Sequence, residues 1–247
     1  MLFLVGAVFL LAGFVKGVIG LGLPTVSMGL LAVTMQPNRA LAIVILPAII
    51  TNIWQTFGGP YLRDIIRRLW PLMLCTFVGS LSNAGAMSGP HARFGMVALG
   101  LLLVIYAVIG LSQFRLHIAR RNEKWVGGIA GFVTGVISAS TGVQVIPSMP
   151  FMQAIGMEKD ELVQALGVFF TVATLALAVN VSASGLVTAT TAVPGVLALA
   201  CSFAGMFLGQ TVRSKLPTES FRRWFLIAMI FLGLYLSGSA IYNLTVR

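Results

Sequence analysis

The chain has 247 residues, of which 58% are hydrophobic and only 9% charged, with a mean hydropathy of +0.98. Soluble domains carry roughly a quarter charged residues, so a soluble globular fold is excluded, and with it any sizeable domain outside a membrane. The net charge of +10 does not point to nucleic acid, because the Lys and Arg residues sit in short loops between apolar runs, where they orient a chain in a bilayer.

Apolar runs long enough to cross about 30 Å of hydrocarbon recur along the sequence, which predicts an all-α polytopic membrane protein. The N-terminus, Met1-Leu2-Phe3-Leu4-Val5, lacks a basic segment and an Ala-x-Ala-like cleavage site. It reads as the first membrane element and not as a signal peptide. Residues 2–34 form one apolar element interrupted by glycines and Pro24, and Pro37 and Asn38 end it. A helix is expected over 39–57, through Asn52 and Gln55, and Gly58-Gly59-Pro60 breaks it. Residues 61–69 carry Arg63, Asp64, Arg67 and Arg68 among apolar neighbours, as a short interfacial segment would. The next span is expected over 70–87, opened by Pro71. After Gly89-Pro90-His91 the most uniformly apolar span covers 93–112.

A basic connector at 113–124, with Arg115, Arg120, Arg121 and Lys124, leads into a second half on the same plan. Gly13-Phe14-Val15-Lys16-Gly17-Val18-Ile19 recurs as Gly131-Phe132-Val133-Thr134-Gly135-Val136-Ile137, and such self-similarity divides the chain. Residues 125–155 are the second broken element, followed by an acidic turn (Glu158, Asp160, Glu161). Spans are expected over 162–183, 190–210 and 221–244, with a polar loop at 213–223. The division is a first repeat at 1–112, the connector at 113–124 and a second repeat at 125–247.

Charge placement predicts the topology. If the connector and the loop bearing Arg213, Lys215, Arg222 and Arg223 both face the cytoplasm, an even number of crossings separates them. The spans 162–183 and 190–210 supply two. The element 125–155 must then enter and leave on one side, as a hairpin of two short helices. The same count puts Arg63, Arg67 and Arg68 inside and Met1 outside, with three full spans beside a hairpin in each half, and it inverts the second half relative to the first. Paired Gly-interrupted segments in inverted repeats are a plan of secondary transporters, whose substrate sites lie near the midplane where the broken helices meet.

Two readings stand for the small residues. Gly13 and Gly17, like Gly131 and Gly135, suit close helix packing of the small-xxx-small kind. Gly20, Gly22, Ser138, Ser140, Thr141 and Gly142 lie in the breaks and suit the lining of a site, since irregular backbone at that depth is tolerated only against protein or a water-filled cavity. Lys16 is the one formal charge deep inside an apolar element. Either it snorkels toward an interface or a water pocket, or it is the counter-charge of an anion, aided by helix N-termini at the breaks. Its counterpart is Thr134. Gln144 and Asn52, with Gln55, Asn83, Gln164 and Asn180, are the other buried polar candidates. Thr171 and Thr174 are candidates for the same cavity, and Pro147 and Pro150 shape the second arm of the later hairpin.

All six acidic residues (Asp64, Glu123, Glu158, Asp160, Glu161, Glu219) fall in loops or at helix ends. No buried carboxylate is left for a proton relay or sodium site. Cys75 and Cys201 lie inside apolar helices, with no metal-ligand or redox spacing. No phosphate-binding loop, metal cluster or nucleophile–base spacing is present, so neither enzyme activity nor a cofactor or metal is expected.

The two Gly-rich broken hairpins are each followed by a short polar turn and an Ala-containing helix, Gln36-Pro37-Asn38-Arg39-Ala40 and Glu158-Lys159-Asp160-Glu161 with Ala165. This arrangement resembles the sulfite exporter TauE/SafE family of bacterial membrane transporters over essentially the whole chain. The resemblance implies export of sulfite or a small organosulfonate across the inner membrane. It implies hairpin residues Gly17, Gly20 and Gly22 in the first half, and Gly135, Ser138, Ser140, Gly142 and Pro147 in the second. Leu21, Leu23, Ser138, Ala139 and Ser140 replace glycines of the family's usual run, and Lys16 is an added charge. The expected protein is thus an anion transporter working by alternating access, with the lipid bilayer and its substrate as partners. Its expected substrate-binding residues are Lys16, Gly17, Gly20, Gly22, Asn52, Gly135, Ser138, Ser140, Thr141, Gly142, Gln144 and Pro147. A passive anion channel and a non-transporting scaffold or assembly protein are the alternatives.

Overall fold

The computed structural model describes residues 1–83, 92–112, 117–183, 189–213 and 218–245. The turn at Gly89-Pro90-His91, the end of the expected span 70–87, and Arg115 and Lys215 lie outside the described residues.

Where apolar runs were expected, the chain is helical: α1 (Leu2–Ile19), α2 (Leu23–Leu31), α3 (Pro37–Thr56), α4 (Leu62–Ser82) and α5 (Ala92–Leu111), then α6 (Glu123–Thr141), α7 (Ser148–Ala154), α8 (Lys159–Ala183), α9 (Ala189–Arg213) and α10 (Thr218–Thr245). Among the described residues there is no strand. Among the described residues, five helices, α1, α3, α8, α9 and α10, are long and apolar enough to cross a membrane, and α5 contributes the shorter apolar helix Met96–Leu111. Large apolar side chains stay exposed around the bundle, including Phe3, Trp70, Trp125, Phe231 and Tyr242. That outward apolar surface is what a bilayer would cover. The protein is an all-α polytopic membrane protein.

Three local expectations change. Residues 61–69 are not a separate interfacial segment: α4 runs unbroken through Pro71. Its buried stripe, Ile65, Leu69, Leu72, Met73, Thr76 and Gly79, keeps helical spacing across the proline, so packing offsets the hydrogen bond that Pro71 removes. The hairpins do not consist of two short helices. Their first arms, α1 and α6, have 18 and 19 residues, or about 27–28 Å at 1.5 Å per residue, and only the return arms are short. Finally, the second break lies later than expected. Ser138, Ser140 and Thr141 belong to α6, and the irregular stretch begins at Gly142, which caps the helix in the left-handed conformation (φ 73°). Ser140 and Thr141 bond carbonyls one turn back, Val136 O at 3.3 Å and Ile137 O at 2.8 Å, which lets hydroxyls remain in an apolar helix.

The helices pair across the two halves. α1 packs along α9 and α4 along α6, while α3 lies against α8 and α5 against α10; α3 also meets α9, and α4 meets α8. Exchanging α1–α5 for α6–α10 maps each of these pairings onto another or onto itself.

Side chains fix the direction of the hairpins. Gln55 Nε2, near the end of α3, donates to Gly20 O and to Val163 O near the start of α8, both at 2.7 Å. α1 and α3 therefore end together, and α2 runs back toward the start of α3. In the second half, Arg68 of α4 bonds Glu123 at the start of α6 (Nε to Oε2 2.8 Å, Nη2 to Oε1 2.7 Å) and Ile155 O just past α7 (2.8 Å). Both ends of that hairpin meet at one guanidinium. The bond to Arg68 holds the Glu123 carboxyl below its ordinary value and Arg68 above its own. The second break lies toward the opposite end of the bundle from the first. There Gly142 sits against Met28 and Leu41, and Asn83 Nδ2 donates to Ser140 Oγ at 2.7 Å.

Candidate functional site

α1 buries Lys16, which is 3% exposed. Its ammonium donates to Thr51 Oγ1 at 3.2 Å and to Asn52 Oδ1. Thr51 in turn donates to Pro47 O at 2.7 Å. Among the described residues no carboxylate pairs with Lys16. Its charge is met by neutral dipoles alone.

The dipoles continue in one direction. Asn52 Nδ2 donates to Thr174 Oγ1 on α8 at 3.4 Å, and Thr174 Oγ1 donates to Gln144 Oε1 in the second break at 3.1 Å. Gln144 Nε2 is buried and has no partner among the described residues. A chain of donors thus runs from the ammonium of the first hairpin to a free N–H group at the second. In a low-dielectric interior such bonds polarise one another.

Lys16 also borders a cavity of about 680 Å³, with Gly17, Gly20, Gln55, Gln164, Gln210, Arg213 and Asp160 on its walls. It lies at the end of the bundle that holds the 58–61 turn and the start of α8. Gln164 builds that end: its Nε2 donates to Thr56 O (2.9 Å) and Gly59 O (2.7 Å), and its Oε1 accepts from Tyr61 N (2.8 Å). Gln55 fastens the first break with both amide hydrogens, and its Oε1 has no partner among the described residues.

The expected site residues do not form one cluster. Lys16, Asn52 and Gln144 share the donor chain, and Gly17 and Gly20 line the cavity. Gly22 packs against Val15, Val26 and Phe225. Gly135 is a contact point between α6 and α4, where a Cβ would strike Thr76 O and Ser80 N. Ser138 is fully buried, and its hydroxyl has no partner among the described residues. Ser140 accepts from Asn83, while Thr141 bonds within α6 and accepts from Val143 N at 3.2 Å. Gly142 shapes the break and Pro147 caps α7. Thr134, the counterpart of Lys16, stays inside its own hairpin and accepts from Ser148 N at 3.2 Å. Asn180 reaches Ser80 O at 2.7 Å.

Thr51 and Gln210 were missed, and Arg213 was used only as a topological charge. Thr51 carries a faint signal as a hydroxyl one turn after Pro47 and next to Asn52. Gln210 and Arg213 end an ordinary span, and only folding brings them to Lys16. Among the described residues no group of three or more His, Cys, Asp or Glu side chains could hold a metal.

A family model described as sulfite exporter TauE/SafE matches residues 5–236. No curated protein and no solved structure matches the chain.

Proposed function

Because the chain belongs to the sulfite exporter TauE/SafE family, we propose that it exports a small sulfur-containing anion, sulfite or an organosulfonate, across the bacterial inner membrane by alternating access. The observation that carries this reading is Lys16, a buried ammonium with no carboxylate partner among the described residues, at the wall of a polar cavity. An ammonium has three donors. Two are engaged by Thr51 and Asn52, which leaves the third for a ligand. An anion entering the cavity supplies the missing counter-charge, and Arg213 adds a second cation on the way in.

The positive-inside tendency supports a cytoplasmic position for the Arg213 end, and on that reading the cavity is an inward-facing vestibule. The donor chain to Gln144 gives the anion somewhere to go. Rocking the halves against one another, as inverted-repeat transporters do, would close the Gln55–Gly20–Val163 end and open the Gly142 end. The reciprocal helix pairing supports two repeats that move as mirror partners. A monovalent anion leaving a negative interior gains roughly 2.3 kcal/mol per 100 mV, so export needs no buried carboxylate.

The test is flux in proteoliposomes. Saturable sulfite or methanesulfonate movement that is accelerated by an imposed potential, negative on the side of departure, is expected. Flux that rises linearly with concentration would instead mark a channel, and no flux at all would mark a scaffold.

A further inference from the structure

A second cavity, of about 410 Å³, adjoins the first, and both have Val163 and Arg213 in their walls. Its character is different. Apolar side chains dominate it, among them Ile19, Tyr106, Met149, Leu162 and Leu226. Its cations are Arg213, at the junction with the first cavity, and Arg222, which donates to Gly110 O at 3.0 Å. Val163 stands at the boundary, packed against Gly20 so closely that a Cβ there would lie 3.1 Å from Val163 Cγ2. Each volume lies in the roughly 300–1,000 Å³ range of small-molecule sites. A polar chamber walled by Lys16, Arg213 and the carboxylate of Asp160 thus shares a boundary, Val163 and Arg213, with an apolar one.

Sulfite has no apolar surface to place in the second chamber. We propose that the two chambers take one substrate, an organic monoanion with a short apolar tail. Its charged head lies between Lys16 and Arg213, and its tail passes Val163 into the apolar chamber. This rests on the transport reading and narrows its substrate class from sulfite or an organosulfonate to sulfonates with an apolar tail. The boundary residue limits the tail's thickness, which favours an unbranched chain. The apolar walls make tail length, and not a second polar group, the basis of selection.

The experiment measures competition against methanesulfonate flux in proteoliposomes of the full chain, using ethane-, propane- and butanesulfonate, with butanol as the neutral control. The expected result is a half-inhibitory concentration that falls about fourfold per added methylene, with no competition from butanol. Leu162→Trp, which fills the apolar chamber, should flatten that series. The slope along the series is the readout, which a general loss of folding does not imitate. If Leu162→Trp fails to fold, Ile109→Trp fills the same chamber from a half-exposed position. A flat series in the wild-type protein, an unchanged slope in the folded variant, or equal competition by butanol overturns the tail site. In those cases saturable sulfite or methanesulfonate flux would leave the transport reading standing. Absence of any saturable anion flux overturns both.

Discussion

Lys16 sits among neutral partners, Thr51 and Asn52, with 3% exposure. Burying an ammonium costs several kcal/mol, and neutral dipoles repay only part of it. The residue should therefore weaken the empty protein and strengthen its complex. Lys16→Met is expected to leave thermal stability unchanged or raised. The same change should lower anion affinity about 10- to 100-fold, since a hydrogen bond to a charged group contributes about 1.5–3 kcal/mol. A variant that is less stable yet keeps its affinity would reduce Lys16 to a packing residue. Thr174→Val tests the chain beyond it. Asn52 Nδ2 and Gln144 Oε1 each lose a partner, and unfolding in detergent should show a loss of about 1–3 kcal/mol. Lys16, Asn52 and Gln144 were legible as candidates because a charge or amide inside an apolar run needs an explanation. Thr174 was a candidate too, but the connection was not legible, because Lys16 and Asn52 lie in one half, Thr174 and Gln144 in the other, and only the packing of α3 against α8 joins them.

The glycines of the repeated GFVxGVI element are points of close contact between helices. A Cβ on Gly13 would strike Ser202 O, and one on Gly131 would strike Leu72 O. The neighbouring Gly6 and Gly128 would meet only Cys201 Sγ at 3.5 Å and Cys75 Sγ at 3.4 Å, ordinary contact distances. Gly13→Ala and Gly131→Ala should each cost about 1–3 kcal/mol through overpacking. Gly6→Ala and Gly128→Ala should be nearly neutral, and thermal unfolding of the four variants separates the pairs. The breaks follow separately, from Gly20 and Gly142, whose φ of 86° and 73° would strain any side chain. At the base of the second hairpin, the Glu123 carboxyl is held below its ordinary value of 4.5 by Arg68. A depressed carboxylate adds stability above its unfolded pKa and loses it as pH falls through the folded one. Wild-type melting temperature should drop below pH 4.5 more steeply than that of Glu123→Gln. Equal slopes would show that this ion pair does not hold the hairpin.

Across the molecule, α3 and α8 form the buried centre, while α1–α9 and α4–α6 are exchanged between halves. This arrangement predicts a sidedness. In a background with Cys75 and Cys201 replaced by alanine, a cysteine at Asp160 or Gln210, on the cavity wall, should react with a membrane-impermeant reagent from the cytoplasmic face. One at Met1 should react from outside. Labelling of both from one face would end the inward-facing assignment. The sequence by itself determined the class, the helical content and the place of the first break, because hydropathy, helix period and glycine backbone freedom act locally along the chain. It also marked Lys16, since a charge in an apolar run stands out without a partner in view. Only the tertiary structure decided that Gly13 and Gly131 are contact points, that α4 runs through Pro71, and that Lys16 shares a cavity wall with Arg213 and a hydrogen-bond chain with Gln144. Those properties depend on which helices meet across the halves, and packing between residues more than a hundred positions apart leaves no periodic trace in either segment.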